Sequence, residues 1–275
     1  MTPEPGLLFD RVAEEYDRVR LDYPAPLVDT ACSLAGLRPE SPVVEIGCGT
    51  GKLTAALAER ALHVEAVDPG VRMVVLARRR VGRSARVNFR IGRFEDVDLP
   101  PAGFEAAFSA TAFHWVDPSV GWAKVARLLR PGGVFALLTH VGFSPLDEQL
   151  HKVWTDVRPK SLEWVPRDRR TLFDGIESRL GNVSEVWAWL NQRDVLAREE
   201  AAGLFTDVRL TTDASEEQET AEHLVAVTRT TSMYLGLDAS DRERLEQGLA
   251  AVIDEAGGSF PLTVYAVLIT ARGAG

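Results

Sequence analysis

Three glycines and two carboxylates between residues 45 and 68 are the groups best suited to hold a nucleotide cofactor. Gly47, Gly49 and Gly51 lie in VVEIGCGTG, directly after an apolar run and directly before a helical pattern. Glycine lets the backbone turn sharply and lets a ligand approach the main chain, and amide groups at the start of a helix bind electron-rich groups. Asp68 follows about 20 residues later, where an acidic residue accepts hydrogen bonds from ribose hydroxyls. The pattern therefore predicts a nucleotide-binding loop.

The spacing of the glycines indicates which kind of nucleotide binds. A dinucleotide fingerprint has GxGxxG, whereas this loop has GxGxG. Glu45 precedes the loop, and its carboxylate would repel a pyrophosphate but suits a ligand that carries an ammonium group. The alternative is that Glu45 caps a loop amide without touching the ligand. We expect a nucleotide that carries an ammonium group.

These residues need a sheet to position them, and residues 42–141 alternate between short apolar runs and helical patterns. Strands are predicted over 43–46, 63–67, 86–91, 104–109 and 134–138, and helices over 52–61, 71–80 and 122–129. Two more strands are predicted over 205–211 and 262–270, with helices between them over 217–235 and 240–255. Strands that alternate with helices form right-handed crossovers and a parallel sheet. The sequence therefore predicts an α/β, Rossmann-like, doubly wound and mostly parallel seven-stranded sheet with helices on both faces.

Residues 143–200 break this alternation. They show no clear strand and hold four of the six tryptophans, Trp154, Trp164, Trp187 and Trp189. We predict a helical insertion after the fifth strand, in which one or two aromatic side chains line a substrate pocket. The alternative is that these aromatic residues only pack the insertion onto the sheet.

Composition and charge exclude several classes of protein. The chain has 275 residues, of which 45% are hydrophobic and 26% charged, and these values are typical of globular proteins. Its net charge of −9 argues against nucleic acid as a partner, because phosphate binding needs a basic surface. Two cysteines and five scattered histidines argue against a disulfide framework and against a metal site. The absence of a long apolar run and of a secretory leader predicts a cytoplasmic protein without a membrane partner.

The glycine loop resembles the first motif of the class I S-adenosylmethionine-dependent methyltransferases, in which an acidic residue precedes GxGxG. Four further segments agree with that family in order and spacing: AVDPG, IGRFEDVDLP, AFSATAFHWVDP and RLLRPGGVFAL. The amino-terminal FDRVAEEYDRVRLDYP is similar to the lid of a small-molecule subgroup, the methyltransferase type 11 or trans-aconitate methyltransferase-like enzymes. The resemblance covers residues 9–141.

This resemblance implies a division of the chain and an activity. Residues 1–35 correspond to a helical lid, and residues 36–142 and 201–275 to the Rossmann-like cofactor-binding domain. Residues 143–200 are then the candidate substrate cap. The implied activity is transfer of the methyl group of S-adenosylmethionine to a small-molecule acceptor.

The resemblance also implies roles for individual residues. Asp68 corresponds to the acid that binds the ribose, and Met73 to a residue that packs against adenine. Phe94 and Glu95 correspond to the loop that flanks adenine. Arg93 departs from the family, because many members have an acid there that binds the adenine amino group. The implied cofactor-binding set is Tyr16, Arg20, Glu45, Gly47, Cys48, Gly49, Gly51, Asp68, Pro69, Met73, Phe94, Glu95 and Ala110.

His114 is the predicted catalytic residue. It lies just past the fourth predicted strand, where the resemblance implies that it faces the methyl group. The pKa range of histidine suits a general base, which a hydroxyl acceptor needs and a carboxylate acceptor does not. The alternative is that His114 and Trp115 only pack and shape the floor of the pocket.

Two other functions remain open at this point. An NAD(P)-dependent oxidoreductase is disfavoured by the GxGxG spacing and by the lack of a recognisable Tyr/Lys catalytic pair. A non-catalytic S-adenosylmethionine-binding regulator would keep the same binding motifs.

Overall fold

The computed structural model describes residues 7–158 and 166–275. Residues 1–6 of the predicted lid lie outside the described residues, as do residues 159–165 of the predicted insertion, which include Trp164.

Seven strands form one sheet in the order β3-β2-β1-β4-β5-β7-β6. The strands are β1 (Pro42–Ile46), β2 (His63–Asp68), β3 (Val87–Ile91), β4 (Phe104–Ala110), β5 (Leu129–Phe143), β6 (Phe205–Thr220) and β7 (Ser259–Gly273). Neighbours from β3 to β5 pair in parallel, and β7 pairs antiparallel with both β5 and β6. The predicted mostly parallel seven-stranded sheet is confirmed.

Helices cover both faces of this sheet. They are α1 (Ala13–Val19), α2 (Ala25–Leu34), α3 (Lys52–Glu59), α4 (Val71–Val81), α5 (Pro118–Leu128), α6 (Asp147–Val157), α7 (Arg169–Glu177), α8 (Val183–Asn191), α9 (Ala201–Leu204), α10 (Ala221–Arg229), α11 (Ser232–Leu235) and α12 (Ala239–Glu255). Side chains alternate between the faces along a strand, so Leu137 packs in the core beneath α5 and Leu138 in the core beneath α2 and α3. This two-sided burial explains why the central strands are apolar throughout.

The described part of the insertion is helical, as expected. Helices α7 and α8 pack on the same core as α5, and Trp187 is fully buried there. Trp189 lies between two guanidinium groups, with Arg167 at 3.6 Å and Arg179 at 4.2 Å from its ring centroid. Both rings therefore serve packing, which was the alternative interpretation of the aromatic cluster.

One predicted helix begins too early. Residues 217–220 continue β6, and α10 begins only at Ala221. Glu217 pairs with Leu262 and Thr220 with Ser259 of β7, so pairing with a partner strand overrides local preference. The Thr220 side chain then accepts a hydrogen bond from the His223 amide at 3.3 Å and caps α10. None of the helices in the described ranges is long and apolar enough to cross a bilayer.

Candidate active site

A cavity of about 480 Å³ lies at the carboxyl ends of β1, β2 and β4. In the strand order, the chain reverses direction between β1 and β4, and ligands of open α/β sheets bind at such a switch point. Its walls come from the loops after these strands, from the amino-terminal segment and from the turn between α10 and α11. The topology thus places the candidate site where the glycine loop predicted it.

The glycine loop has the backbone that its sequence predicts. Gly47, Gly49 and Gly51 all have positive φ, at 74°, 53° and 83°, a region that L side chains rarely adopt. A Cβ on Gly47 would lie 2.3 Å from the Ala112 Cβ, whereas a Cβ on Gly49 would meet nothing within 4 Å. Gly47 therefore permits close packing of the loop on the end of β4, and Gly49 leaves space in the cavity.

Gly51 has a structural role in packing two helices, and its cofactor contact stays a prediction. It does not line the cavity, and a Cβ there would lie 2.8 Å from the Cα and Cβ of Ala77 in α4. The third glycine therefore lets α3 approach α4.

Asp68 ends β2 and anchors the glycine loop. Its Oδ2 accepts a hydrogen bond from the Gly49 amide at 2.9 Å, and its Oδ1 accepts one from the Gly70 amide at 2.8 Å. Burial raises the pKa of Asp68 to about 6, against the lowering effect of the two amides. The carboxylate is thus ionised at neutral pH, and each oxygen keeps a lone pair for a ligand hydroxyl.

Glu45 lies at the end of β1 and is only 1% exposed. Its Oε2 accepts a hydrogen bond from the Thr54 hydroxyl at 2.6 Å, so a hydroxyl of α3 holds it rather than a loop amide. Burial raises the pKa of Glu45 to about 8, and the nearby Asp68 carboxylate adds to the shift. This buried carboxyl group is therefore largely protonated at neutral pH.

The pH dependence of stability tests this description of Glu45. Its pKa lies above the ordinary value of 4.5 in the folded protein, so between that value and about 8 the folded state binds more protons than the unfolded state. The free energy of unfolding of the ligand-free protein should therefore fall as pH rises through this window. Urea titrations from pH 5 to 8 measure the fall, and Glu45→Gln should make it shallower. Identical slopes in the two proteins would contradict the raised pKa.

The side of the cavity that the resemblance assigns to adenine is built from Met73, Phe94 and Glu95. Met73 and Phe94 are buried apolar side chains that could cover a flat ring. Glu95 Oε1 accepts hydrogen bonds from the Asp117 amide at 2.8 Å and from Arg93 at 3.0 Å. Since Oε1 holds two loops together, any contact with adenine is left to Oε2.

The amino-terminal segment docks on α4 through one acidic face. Asp10, Glu14 and Asp17 follow one another at spacings of four and three residues, so they lie on one side of a helical segment. Asp10 accepts hydrogen bonds from the Arg72 and Met73 amides at 2.6 and 3.1 Å. Ion pairs join Glu14 to Arg72 and Asp17 to Arg80, each at 2.6 Å. Each exposed pair is weak alone, but together they fix the segment over the cavity.

The opposite face of this segment lines the cavity with Phe9, Tyr16 and Arg20. Arg20 donates from Nε to the Thr230 hydroxyl at 2.9 Å and from Nη2 to the Thr230 carbonyl at 3.0 Å. Its guanidinium also lies 5.2 Å from the Tyr16 ring centroid. Within the described residues Arg20 forms no ion pair with a carboxylate, so its charge is available to a ligand.

His114 lies in a short 3₁₀ turn, Phe113–Trp115, after β4. Burial lowers its pKa to about 3, and the nearby Arg193 charge contributes. Arg193 also donates a hydrogen bond to the His114 carbonyl at 3.1 Å. The His114 Nδ1 atom has no hydrogen-bond partner among the described residues, so no acceptor orients the ring as in most histidine bases. The imidazole is neutral at any physiological pH.

Twelve of the thirteen residues in the implied cofactor set line this cavity together with His114, and Gly51 is the exception. The described residues of the insertion do not contribute to its lining, and the substrate cap over 143–200 stays a prediction. Four further residues without a predicted site role line the cavity: Thr111, His140, Thr231 and Ser232. No motif marks these four positions, although the spacing of Asp10, Glu14 and Asp17 could have indicated the docked lid.

Comparisons with known proteins find similarity to methyltransferases. Residues 44–137 match the family described as a methyltransferase domain. An uncharacterised methyltransferase of Mycobacterium bovis is 37% identical over 133 residues, which cover 48% of this chain and 52% of that protein. The chain thus spans about half the length of the curated relatives that it matches.

Two solved structures share the fold. One is a chain from Anaeromyxobacter dehalogenans, provisionally described as a type II methyltransferase, with a TM-score of 0.57, 23% identity, and coverage of 92% of this chain and 97% of that one. The other is phosphoethanolamine N-methyltransferase 2 of Haemonchus contortus in complex with phosphomonomethylethanolamine and S-adenosylhomocysteine, with a TM-score of 0.50, 14% identity, and coverage of 97% and 58%.

Proposed function

We propose that this chain is a class I S-adenosylmethionine-dependent methyltransferase, which transfers a methyl group from S-adenosylmethionine to a small-molecule acceptor. The match of residues 44–137 to a methyltransferase domain supports this proposal. The product of the cofactor would be S-adenosylhomocysteine. The observation that carries the proposal is the cavity at the switch point, in which Asp68 is held by two loop amides beside the open space above Gly49.

The residues present fit this cofactor at each of its polar groups. Asp68 offers lone pairs to the two ribose hydroxyls, and Met73 and Phe94 offer apolar surface to adenine. Arg20 is a cation without a carboxylate partner in the described ranges, which suits the carboxylate of the methionine moiety. Glu45 is a buried carboxyl without a cationic partner there, which suits the ammonium group.

The bound cofactor would supply an electrophilic methyl group on a sulfonium sulfur. The contribution of the chain is then alignment and exclusion of water, and alignment alone can contribute several kcal/mol. The Phe9 ring of the docked lid contacts the Trp115 ring with centroids 5.5 Å apart. This contact closes the lid onto the loop after β4 and helps to keep the site dry.

We assign His114 to the acceptor side of the cavity, in contact with the acceptor through a neutral imidazole. His114→Ala should lower kcat by more than tenfold and change the dissociation constant of S-adenosylhomocysteine by less than threefold, estimates based on about one lost contact. Because the pKa of His114 is about 3, the pH profile of kcat should show no inflection from this group between pH 5 and 8. Unchanged turnover in the variant would remove His114 from the catalytic site.

The proposal as a whole is tested by calorimetric titration of the purified chain with S-adenosylhomocysteine and, in parallel, with NADH. We expect micromolar binding of the first and no binding of the second. The reverse result would support the oxidoreductase alternative. Binding of S-adenosylhomocysteine without turnover on any acceptor would favour the non-catalytic regulator.

A further inference from the structure

Three lining residues outside the implied cofactor set form a polar cluster in the cavity. The Tyr23 hydroxyl and the Thr111 hydroxyl are hydrogen-bonded at 2.7 Å. The Tyr23 ring stacks on the His140 ring, with centroids 4.8 Å apart and planes 21° apart. The three side chains come from the segment after α1, the residue after β4 and the carboxyl-terminal part of β5, and all three line the cavity.

Thr111 is held in a strained conformation at this place. Its φ is 51°, which is unfavourable for a β-branched residue and costs on the order of 1–3 kcal/mol. Its amide donates to the Leu138 carbonyl at 2.8 Å, a bond that fixes the strained backbone. Strain of this kind persists where the fold needs one side chain in one place, and here it places the Thr111 hydroxyl against Tyr23.

The cluster is uncharged and has hydrogen-bonding capacity to spare. Burial raises the pKa of Tyr23 far above its ordinary value, and burial lowers the pKa of His140 to about 4. Two hydroxyls carry two protons, and their mutual hydrogen bond uses only one. One hydroxyl proton therefore remains free to bind a ligand oxygen.

The cations that line the cavity are committed to other groups. Lys52 pairs with Asp22 at 2.9 Å, and Arg93 pairs with Glu95 at 3.0 Å. The proposed function assigns Arg20 to the carboxylate of the cofactor. The polar cluster therefore offers no counter-charge to an anionic acceptor, and burying an unpaired carboxylate beside it would be costly.

The surroundings of His140 suit a proton acceptor better than those of His114 do. The Asp22 main chain favours the protonated form of the His140 ring, against the larger effect of burial on its pKa. The Tyr23 ring stacks on this imidazole with planes 21° apart, which fixes the ring orientation. A neutral imidazole keeps a lone pair on one ring nitrogen. The His114 Nδ1 has no hydrogen-bond partner in the described part of the chain.

We propose that the acceptor is an uncharged hydroxyl compound with a flat apolar body, that the Tyr23–Thr111 pair binds its hydroxyl, and that His140 accepts the hydroxyl proton. This inference rests on the proposed methyltransferase function. The acceptor oxygen forms a bond to the methyl carbon while the carbon–sulfur bond breaks and leaves its electron pair on sulfur. The hydroxyl proton passes to the free nitrogen of His140 and from there to water, so the products are a methyl ether and a neutral thioether.

The apolar body fits aromatic rings that line the same cavity as the cluster. Phe9 contacts Tyr16 at 5.9 Å and Trp115 at 5.5 Å between centroids, which gives a continuous aromatic wall. Aromatic walls of this kind bind flat apolar ligands.

Matched probes test the acceptor class: 2-naphthol and 2-naphthoate have the same ring body and differ in the reacting group. Calorimetry on the protein saturated with S-adenosylhomocysteine should give at least about tenfold tighter binding of 2-naphthol. Tyr23→Phe should weaken the binding of 2-naphthol about fivefold, as expected for one lost hydrogen bond. Tyr265→Phe is the matched control, because its hydroxyl binds Arg169 outside the cavity.

The role of His140 is tested by turnover of S-adenosylmethionine with 2-naphthol, followed as methyl ether. His140→Gln should lower kcat about a hundredfold or more, as loss of a general base does, with little change in KM. Equal or tighter binding of 2-naphthoate, no measurable binding of 2-naphthol, or unchanged kcat in His140→Gln would each overturn the proposal. Failure of the wild-type protein to bind S-adenosylhomocysteine would instead reject the proposed function, so the two failures are distinguishable.

Discussion

Asp68→Ala should weaken the binding of S-adenosylhomocysteine by about a hundredfold or more. Hydrogen bonds to a charged group contribute about 1.5–3 kcal/mol each, and Asp68 would give two of them to the ribose hydroxyls. The same carboxylate holds the Gly49 and Gly70 amides at 2.9 and 2.8 Å, so its loss also loosens the loop that would contact the cofactor. Both effects lower affinity.

The fold should survive this substitution. Ionised Asp68 is buried at some cost, which its raised pKa of about 6 reflects, and the Gly49 amide lies in the cavity wall, where water can replace the carboxylate. The Gly70 amide is buried and loses its acceptor, so we expect the free energy of unfolding to fall by about 1–3 kcal/mol. Calorimetry measures the affinity for S-adenosylhomocysteine, and urea denaturation measures the free energy of unfolding. Asp68→Asn keeps one acceptor oxygen, so its affinity should lie between those of the wild type and Asp68→Ala. Wild-type affinity in Asp68→Ala would reject the ribose assignment.

Alanine at Gly47 should mainly lower stability, and alanine at Gly49 should mainly lower cofactor affinity. At Gly47 the new Cβ would lie 2.3 Å from the Ala112 Cβ on a backbone with positive φ, so the free energy of unfolding should fall by about 2–5 kcal/mol. At Gly49 the new Cβ meets nothing within 4 Å, so the loss should be about 1–2 kcal/mol from the left-handed conformation alone. The Gly49 Cβ would, however, occupy space that the cofactor needs, and affinity for S-adenosylhomocysteine should fall more than tenfold, or by more than about 1.4 kcal/mol.

A third glycine separates backbone strain from ligand contact. Gly36 has φ of 65° and open space around its Cβ position, like Gly49, but does not line the cavity. Gly36→Ala should therefore lose as much free energy of unfolding as Gly49→Ala does, measured by urea denaturation. Its affinity for S-adenosylhomocysteine should be unchanged. If Gly49→Ala binds the ligand as tightly as Gly36→Ala does, the cofactor does not approach the loop at this residue.

Local pattern was sufficient to predict the sheet and the glycine loop. Buried parallel strands need continuous apolar runs, and 43–46 and 134–138 both lie inside observed strands. Asp68 was found because the length of a βαβ unit fixes how far the second strand end lies from the first. The pattern failed at residues 217–220, where an exposed edge strand carries polar side chains that also suit a helix.

The chain by itself therefore determined the α/β sheet, the bend at the three glycines and the acid at the end of β2, because each follows from neighbours along the sequence. Tertiary structure alone decided which distant residues complete the cavity. Tyr23, Thr111 and His140 meet there, and Thr230 holds Arg20, although up to 210 residues separate these partners. It also placed the insertion on the core beside α5 and left its described residues out of the cavity lining. Contacts of this kind depend on how strands and helices pack in three dimensions, and no local spacing in the sequence records that packing.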